Sequence, residues 1–338
     1  MRTLSAVCVA GIGLLFSPLG IEPNTATAGD EKPHVAFVTN GIASFWVIAE
    51  KGAKDAAEKF DVQLDVRMPP KGVADQKRMV EELLTRRVQG IAISPIDAVN
   101  QTAFLKTVAK KTRLITQDSD APNSNRLCYV GMDNYEAGRM CGQLVKKALP
   151  DGGSVIIFVG RLGQDNAKHR RQGVIDELLD RSNDSKRYDK PGQVLRGDKY
   201  EILDTRTDDF DFAKAKSLAQ DSIVKYPKLS CMVGLFAYNP PILLEALKSA
   251  GKLKSIKVIG FDEEDGTLKG IQDGDVAGTI VQNPYKYGYE SVRILNSLVK
   301  GDDAVLPKDG FVNIPARSIT KDNVDAFWAE LKKLTGKN

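Results

Sequence analysis

His34-Val35-Ala36-Phe37-Val38, a segment of helical period over 45–60, a second apolar run near 62–66, and then Gln89-Gly90-Ile91-Ala92-Ile93 set the grammar of this chain. Short apolar runs of this kind mark strands buried on both faces, and the longer helical segments between them supply the cover. The repeat is therefore βα, and the chain is an α/β protein with a mostly parallel sheet. Further strands are predicted over 113–116, 154–159, 201–203, 230–235, 257–259 and 276–280. Helices are predicted over 74–87, 135–148, 168–179, 212–226, 241–249 and 287–299. Eight or nine such units are too many for one sheet, so two doubly wound parallel-sheet domains are expected, divided near Gly131-Met132-Asp133. Their facing strand ends make a cleft. Residues 181–198 break the pattern with Asn183, Asp184, Ser185, Pro191 and Gly192, and are expected to form an exposed excursion.

The amino terminus has a different character. Arg2 precedes an apolar run from Leu4 to Leu19, and Ala26-Thr27-Ala28 offers small residues to a signal peptidase, so residues 1–28 are expected to be a cleaved signal peptide. Gly11, Gly13 and Pro18 interrupt the run, which falls short of the roughly 20 residues of a comfortable membrane span. Roughly 310 residues then remain, enough for two cores of ordinary size. The expected location is the periplasm.

Composition excludes some partners. The 48 basic and 44 acidic residues are interleaved and leave a net charge of only +4, with no aromatic-studded basic stripe, so no nucleic-acid partner is expected. Three widely spaced cysteines, Cys128, Cys141 and Cys231, cannot make a disulfide framework; their apolar neighbours favour buried thiols, with a single bridged pair in an oxidising compartment as the alternative. His34 and His169 are the only histidines and stand in no metal-ligand spacing, so no metal and no cofactor are expected. Gly160-Arg161-Leu162-Gly163 lacks the pattern of a dinucleotide or phosphate loop, and no Gly-x-Ser-x-Gly elbow occurs.

The polar and aromatic residues at the carboxyl ends of predicted strands make a better set. Asn40 follows the first strand and Phe45-Trp46 opens its helix, while Asp118, Asn239 and Asp262 each follow a later strand. Open α/β sheets bind ligands at this edge. Aromatic faces cover the C–H faces of a sugar ring, and carboxylates, amides and a guanidinium satisfy its hydroxyls.

At these residues the chain resembles the periplasmic sugar-binding proteins of the ribose-binding type. These type I periplasmic binding proteins share the ligand-domain fold of lac-repressor-class regulators. The resemblance runs from about Lys32 to about Ile319. Its fingerprints are Val38-Thr39-Asn40 with Phe45-Trp46, Ile93-Ser94-Pro95 with Asp97, Ile115-Thr116-Gln117-Asp118, and Val130-Gly131-Met132-Asp133-Asn134 with Ala137-Gly138. Asn166 with Arg170 and Gly173, Val258-Ile259-Gly260-Phe261-Asp262, and Thr279-Ile280-Val281-Gln282-Asn283-Pro284 complete them.

The resemblance implies a ligand cleft between lobes joined by a three-segment hinge. The first lobe comprises 31–132 plus 283–312 and the second 133–282 plus 313–338, with crossings near Met132 and Asp133, Gln282 and Asn283, and Phe311 to Asn313. A last helix over 324–334, carrying Trp328, is implied to pack on the second lobe. Asn40, Phe45, Trp46 and Asp118 are implied ligand contacts from the first lobe, Asn166 and Arg170 from the second, with Asn239, Asp262 and Gln282 completing a polar cage. Two departures stand out: Ser119 replaces the arginine, and Tyr238 the glutamine, of ribose-specific members. Ribose itself is therefore not implied, and polyols and cyclic alcohols remain candidates.

The expected function is a monomeric, non-enzymatic solute-binding protein. It would capture a monosaccharide or related polyol by hinge closure and deliver it to a membrane ABC permease. A sugar-sensing protein that presents its ligand to a membrane receptor uses the same pocket and stays as an alternative. So does a secreted glycoside-acting enzyme, which product accumulation from a glycoside would reveal.

Overall fold

The computed structural model describes residues 32–336, so the expected signal peptide, residues 1–28, lies outside the described residues. Among the described residues no helix is long and apolar enough to cross a membrane. The chain begins with β1 (His34–Val38), α1 (Ser44–Phe60), β2 (Gln63–Arg67), α2 (Val73–Thr85), β3 (Gly90–Ile93), α3 (Thr102–Ala109), β4 (Arg113–Gln117) and β5 (Tyr129–Gly131). It continues through α4 (Asn134–Ala148), β6 (Gly153–Val159), α5 (Asp165–Leu178), β7 (Leu195–Arg196), β8 (Tyr200–Thr207), α6 (Phe212–Lys225), β9 (Cys231–Gly234) and α7 (Asn239–Ser249). The remainder is β10 (Lys257–Phe261), α8 (Asp265–Asp273), β11 (Gly278–Val281), α9 (Pro284–Val299), β12 (Phe311–Asn313), β13 (Arg317–Ile319) and α10 (Val324–Thr335).

Two sheets result. The first runs β12-β5-β4-β3-β1-β2 and is parallel throughout. The second runs β13-β11-β10-β9-β6-β8-β7, with only the edge strands β13 and β7 antiparallel. The period-two geometry of a strand decides how each sheet is covered. Val35 and Phe37 of β1 enter the core beneath α1 and α9, while Ala36 and Val38 enter the one beneath α2 and α3. In β6, Val155, Ile157 and Val159 face α4 and α5, and Ile156 and Phe158 face the opposite layer.

Glycines set how closely the inner helices approach. A Cβ on Gly138 of α4 would lie 2.1 Å from the Arg170 carbonyl oxygen, and one on Gly173 of α5 would lie 2.1 Å from that of Tyr135. Gly52 of α1 and Gly288 of α9 make the matching contact in the first lobe, each with a hypothetical Cβ 1.9 Å from the facing carbonyl. Only a residue without a side chain allows this backbone-to-backbone packing.

The chain passes between the sheets three times. Two passages, Met132–Asp133 and Gln282–Asn283, follow β5 and β11. The third does not lie within 311–313, because Asn313 still pairs with Gly131 in the first sheet; the chain crosses at 314–316 instead. Helix α10 packs on the second lobe through Val324 and Phe327. Cys128, Cys141 and Cys231 are free, buried thiols. Burial pushes the Cys128 thiol up to about 11 and the other two higher still, which leaves them inert as nucleophiles.

The excursion over 181–198 is largely exposed, but it is more than decoration. Asp176 of α5, wholly buried, accepts hydrogen bonds from Tyr135 (2.8 Å) and Gln172 (3.0 Å) and pairs with Arg187 of the excursion at 2.8 Å. Asp189 receives Arg181 and Gln172, each at 2.7 Å. Strand β7 forms inside the segment, so polar anchors fasten it to the outside of α5.

Candidate functional site

Asp118 follows β4 and Asp262 follows β10, the corresponding strand in the other sheet. Both adopt left-handed backbone, with φ of 58° and 65°. Short acids tolerate that conformation better than most residues. Each backbone N–H is held by the neighbouring strand, Asp118 to Val130 O at 3.1 Å and Asp262 to Ile280 O at 2.8 Å. The chain thus turns at the strand end and aims a carboxylate into the space between the lobes.

There the two lobes meet around common groups. Asp118 Oδ2 accepts from Ser94 Oγ (2.9 Å), Asn40 Nδ2 (3.2 Å) and, from the second lobe, Asn166 Nδ2 (3.3 Å). Trp46 Nε1 donates to Asn40 Oδ1 at 3.1 Å and fixes that amide. The Trp46 ring lies edge-on to Phe45, 4.8 Å between centroids. On the far side, Gln282 Nε2 donates to Asp262 Oδ1 at 2.7 Å, and Tyr287 holds Gln282 in turn. Ser44 Oγ donates to Glu264 Oε1 across the cleft at 2.8 Å.

Arg170 is the cation of this cluster. Its side chain is 1% exposed, its Nε donates to Asn134 Oδ1 at 2.9 Å and its Nη1 to Leu235 O at 3.3 Å. The guanidinium carbon stands 4.4 Å from the Phe261 ring centre. Nη2 lies 3.7 Å from Asp118 Oδ1, too far for a hydrogen bond, and is left without a partner. A buried donor of this kind is costly to leave unmade. It is aimed at the same space as the carboxylates.

Burial raises the pKa of Asp118, and Arg170, Ser94 and Asn166 offset this only in part. Asp262 is pushed up to about 6 by burial, against the opposing pull of Arg170 and Gln282. Both carboxylates are thus tuned by how far water is excluded.

A cavity of about 440 Å³ lies between the lobes, within the range of small-molecule sites. Asn40, Phe45, Trp46, Asp118, Asn166, Arg170, Asp262 and Gln282 all line it. Asn239 does not. It is buried behind the wall, its Oδ1 accepting from Phe236 N (3.0 Å) and its Nδ2 donating to Asp208 Oδ2 (3.2 Å). Its amide shapes the turn that carries Phe236 into the cavity. Phe210, Phe236 and Arg161 also line the cavity and were absent from the expected set. Phe210 follows β8 with φ of 66°; the strand-end rule would have found it had the strand been drawn to Thr207 rather than to Leu203.

Comparison with known proteins agrees with this architecture. The ribose import binding protein RbsB of Salmonella typhimurium is 25% identical over 297 residues, covering 86% of this chain and 93% of that protein. The xylitol-binding protein of Mycolicibacterium smegmatis is 25% identical, covering 95% of this chain and 86% of that protein. Among solved structures, an ABC transporter solute-binding protein from Burkholderia graminis in complex with D-arabinose superposes with a TM-score of 0.77 at 27% identity, covering 86% of this chain and 96% of that one. The family model described as periplasmic binding protein domain matches residues 35–303. With two parallel-sheet lobes, three crossings and a polar cavity between them, the chain belongs to the periplasmic binding protein domain family.

Proposed function

We propose that this protein is an extracytoplasmic solute-binding protein that captures a monosaccharide or related polyol between its lobes and delivers it to an ABC-type permease. Residues 1–28 would direct it to the periplasm and be removed there. The observation that carries the reading is the unpartnered Nη2 of Arg170, a second-lobe donor that lines the cavity beside the first-lobe carboxylate Asp118, 3.7 Å away. A polyhydroxylated ligand fits such a cage, because each hydroxyl both donates to a carboxylate and accepts from a guanidinium or amide. Asn40, Phe45, Trp46, Asp118, Asn166, Arg170, Asp262 and Gln282 are the proposed contacts, with Asn239 supporting the wall. A ligand held by both lobes favours the closed arrangement by its differential affinity for it. Binding, not turnover, is the proposed role. Sugar-binding and polyol-binding relatives support this reading.

A thermal-shift screen of the ligand-stripped protein against monosaccharides, polyols and small oligosaccharides tests it. Ligand at a hundred times its Kd stabilises the native state by about 2.7 kcal/mol, so one compound class is expected to give a large, saturable shift. A folded sample that responds to none of them would overturn the reading.

The pH dependence has a definite sign. Asp262 is protonated in the native apo protein up to about pH 6, but an unfolded chain releases that proton near 3.8. Its contribution to apo stability is therefore present at low pH and is lost as pH rises towards 6. Ligand affinity runs the other way, because hydroxyl donors need the ionised carboxylate. One unit below its pKa only about a tenth of the group is ionised, so Kd measured by calorimetry is expected to be about tenfold weaker at pH 5.0 than at pH 7.5. A flat profile would remove Asp262 from the set of acceptors.

A further inference from the structure

The cavity is more than a polar cage. From the Arg170 guanidinium carbon, a series of aromatic rings leads towards its rim: Phe236 at 5.6 Å, Tyr238 at 6.3 Å from Phe236, and Phe212 stacked on Tyr238 at 4.8 Å with 26° between planes. Phe210 packs beside this series, 5.3 Å from Phe236, with the Arg161 guanidinium 4.9 Å from its centre. Phe212 lines the cavity although it is 58% exposed, and Ile42, on the first lobe, lines it while 68% exposed. Pro69 and Pro70 bring further apolar surface from the first lobe. Single exposed apolar side chains are ordinary, but a contiguous set from both lobes at the rim of one cavity marks a binding surface.

Local contacts position the rim. Tyr238 is pinned by its hydroxyl to Asp208, and Phe212 opens α6 directly after Asp211, whose side chain caps that helix by accepting from Lys214 N. A platform held in place before binding loses little freedom when a ligand arrives. The polar groups that satisfy hydroxyls lie at the inner end, around Asp118, Arg170 and Asp262, so a single sugar ring seated there leaves Phe212 unused.

We propose that the ligand has two rings: a sugar or polyol ring in the polar cage, glycosidically joined to a second ring whose apolar face packs on the open face of Phe212 at the rim, with Tyr238 backing Phe212 from the other side. This rests on the sugar-binding reading above and extends its cargo from a lone monosaccharide or polyol to one that carries a second ring, a disaccharide or a glycoside with a ring aglycone. Arg161 then supplies donors to the second ring. One added stacking contact is expected to improve affinity about tenfold.

Calorimetry tests this with the monosaccharide that gives the largest thermal shift, its 4-nitrophenyl glycoside, and disaccharides carrying it at the non-reducing end. At least one two-ring compound is expected to bind about tenfold tighter than the monosaccharide. Phe212→Ala is expected to erase that gain while leaving monosaccharide affinity unchanged. The proposal falls if no two-ring compound exceeds the monosaccharide, if Phe212→Ala leaves the gain intact, or if it weakens both ligands equally. A folded protein that binds neither kind of compound would instead overturn the sugar-binding reading, and this proposal with it.

Discussion

Arg170→Ala is expected to weaken ligand binding at least a hundredfold and to destabilise the apo protein at neutral pH more than at pH 5. Two separate losses produce this. The ligand loses the charge-assisted donors of Nη2 and its neighbours, each hydrogen bond to a charged group contributing about 1.5–3 kcal/mol, and about 2.8 kcal/mol is already a hundredfold. The protein loses the cation whose field opposes the burial-driven rise in pKa of both Asp118 and Asp262. Breaking one side of a buried charge cluster costs about 3–5 kcal/mol when the remaining charge stays ionised. Here the carboxylates escape part of that cost by taking up protons, so the deficit shrinks as pH falls. Arg170→Lys separates the two effects: it keeps a charge near Asp118, and so most of the stability, but loses the planar fork that also reaches Asn134 and Leu235 O. Calorimetric titration of both variants, with denaturation at pH 5.0 and 7.5, reads the outcome. Wild-type affinity in a folded Arg170→Ala protein would take the guanidinium out of the site.

What could be read from the sequence follows from what leaves a local signal. Fully buried strands such as β1, β3 and β9 declare themselves as unbroken apolar runs, and the helices covering them repeat with helical period. Strand β5 is three residues long and α3 only eight, too short for a period to emerge, and neither was expected. Strand β8 runs past its expected end at Leu203 for a different reason. Its end, Asp204-Thr205-Arg206-Thr207, is only half buried in the sheet and carries polar side chains, so the apolar signal stops before the strand does, and Phe210 was overlooked with it. The anchoring of 181–198 depends on Asp176, Arg187 and Asp189, which meet through the fold and share no local pattern. Asn239 shows a further limit: a residue type suited to a cleft can instead turn inward and brace the turn beside it.

Gly173→Ala is the second substitution with a large expected effect, although it touches no ligand. Ordinarily this change in a helix gains up to about 1 kcal/mol from the better helix former. At this position the added Cβ would lie 2.1 Å from the Tyr135 carbonyl oxygen and 2.8 Å from Arg139 N. Both obstacles are backbone atoms of α4, which cannot rotate away as a side chain would, so α5 must move as a body. Overpacking of this severity costs about 3 kcal/mol or more, which outweighs the propensity gain, and the melting temperature is expected to fall by about 5 °C. The displacement matters to function because α5 carries Asn166 and Arg170 on the same rigid element. Asn166 donates to Asp118 at 3.3 Å, near the limit of a hydrogen bond, and the Arg170 guanidinium stands 3.7 Å from the same carboxylate. Displacing the helix shifts the Asn166 amide and the Arg170 guanidinium together relative to the rest of the cage and is expected to weaken ligand binding about tenfold, since hydrogen bonds decline steeply beyond their normal range. Tm and Kd should therefore shift together in this variant, whereas a fault confined to the cage would move Kd alone. A Gly173→Ala protein that melts at or above the parent temperature would mean that α4 and α5 do not pack backbone to backbone, and the position of Arg170 would need another support.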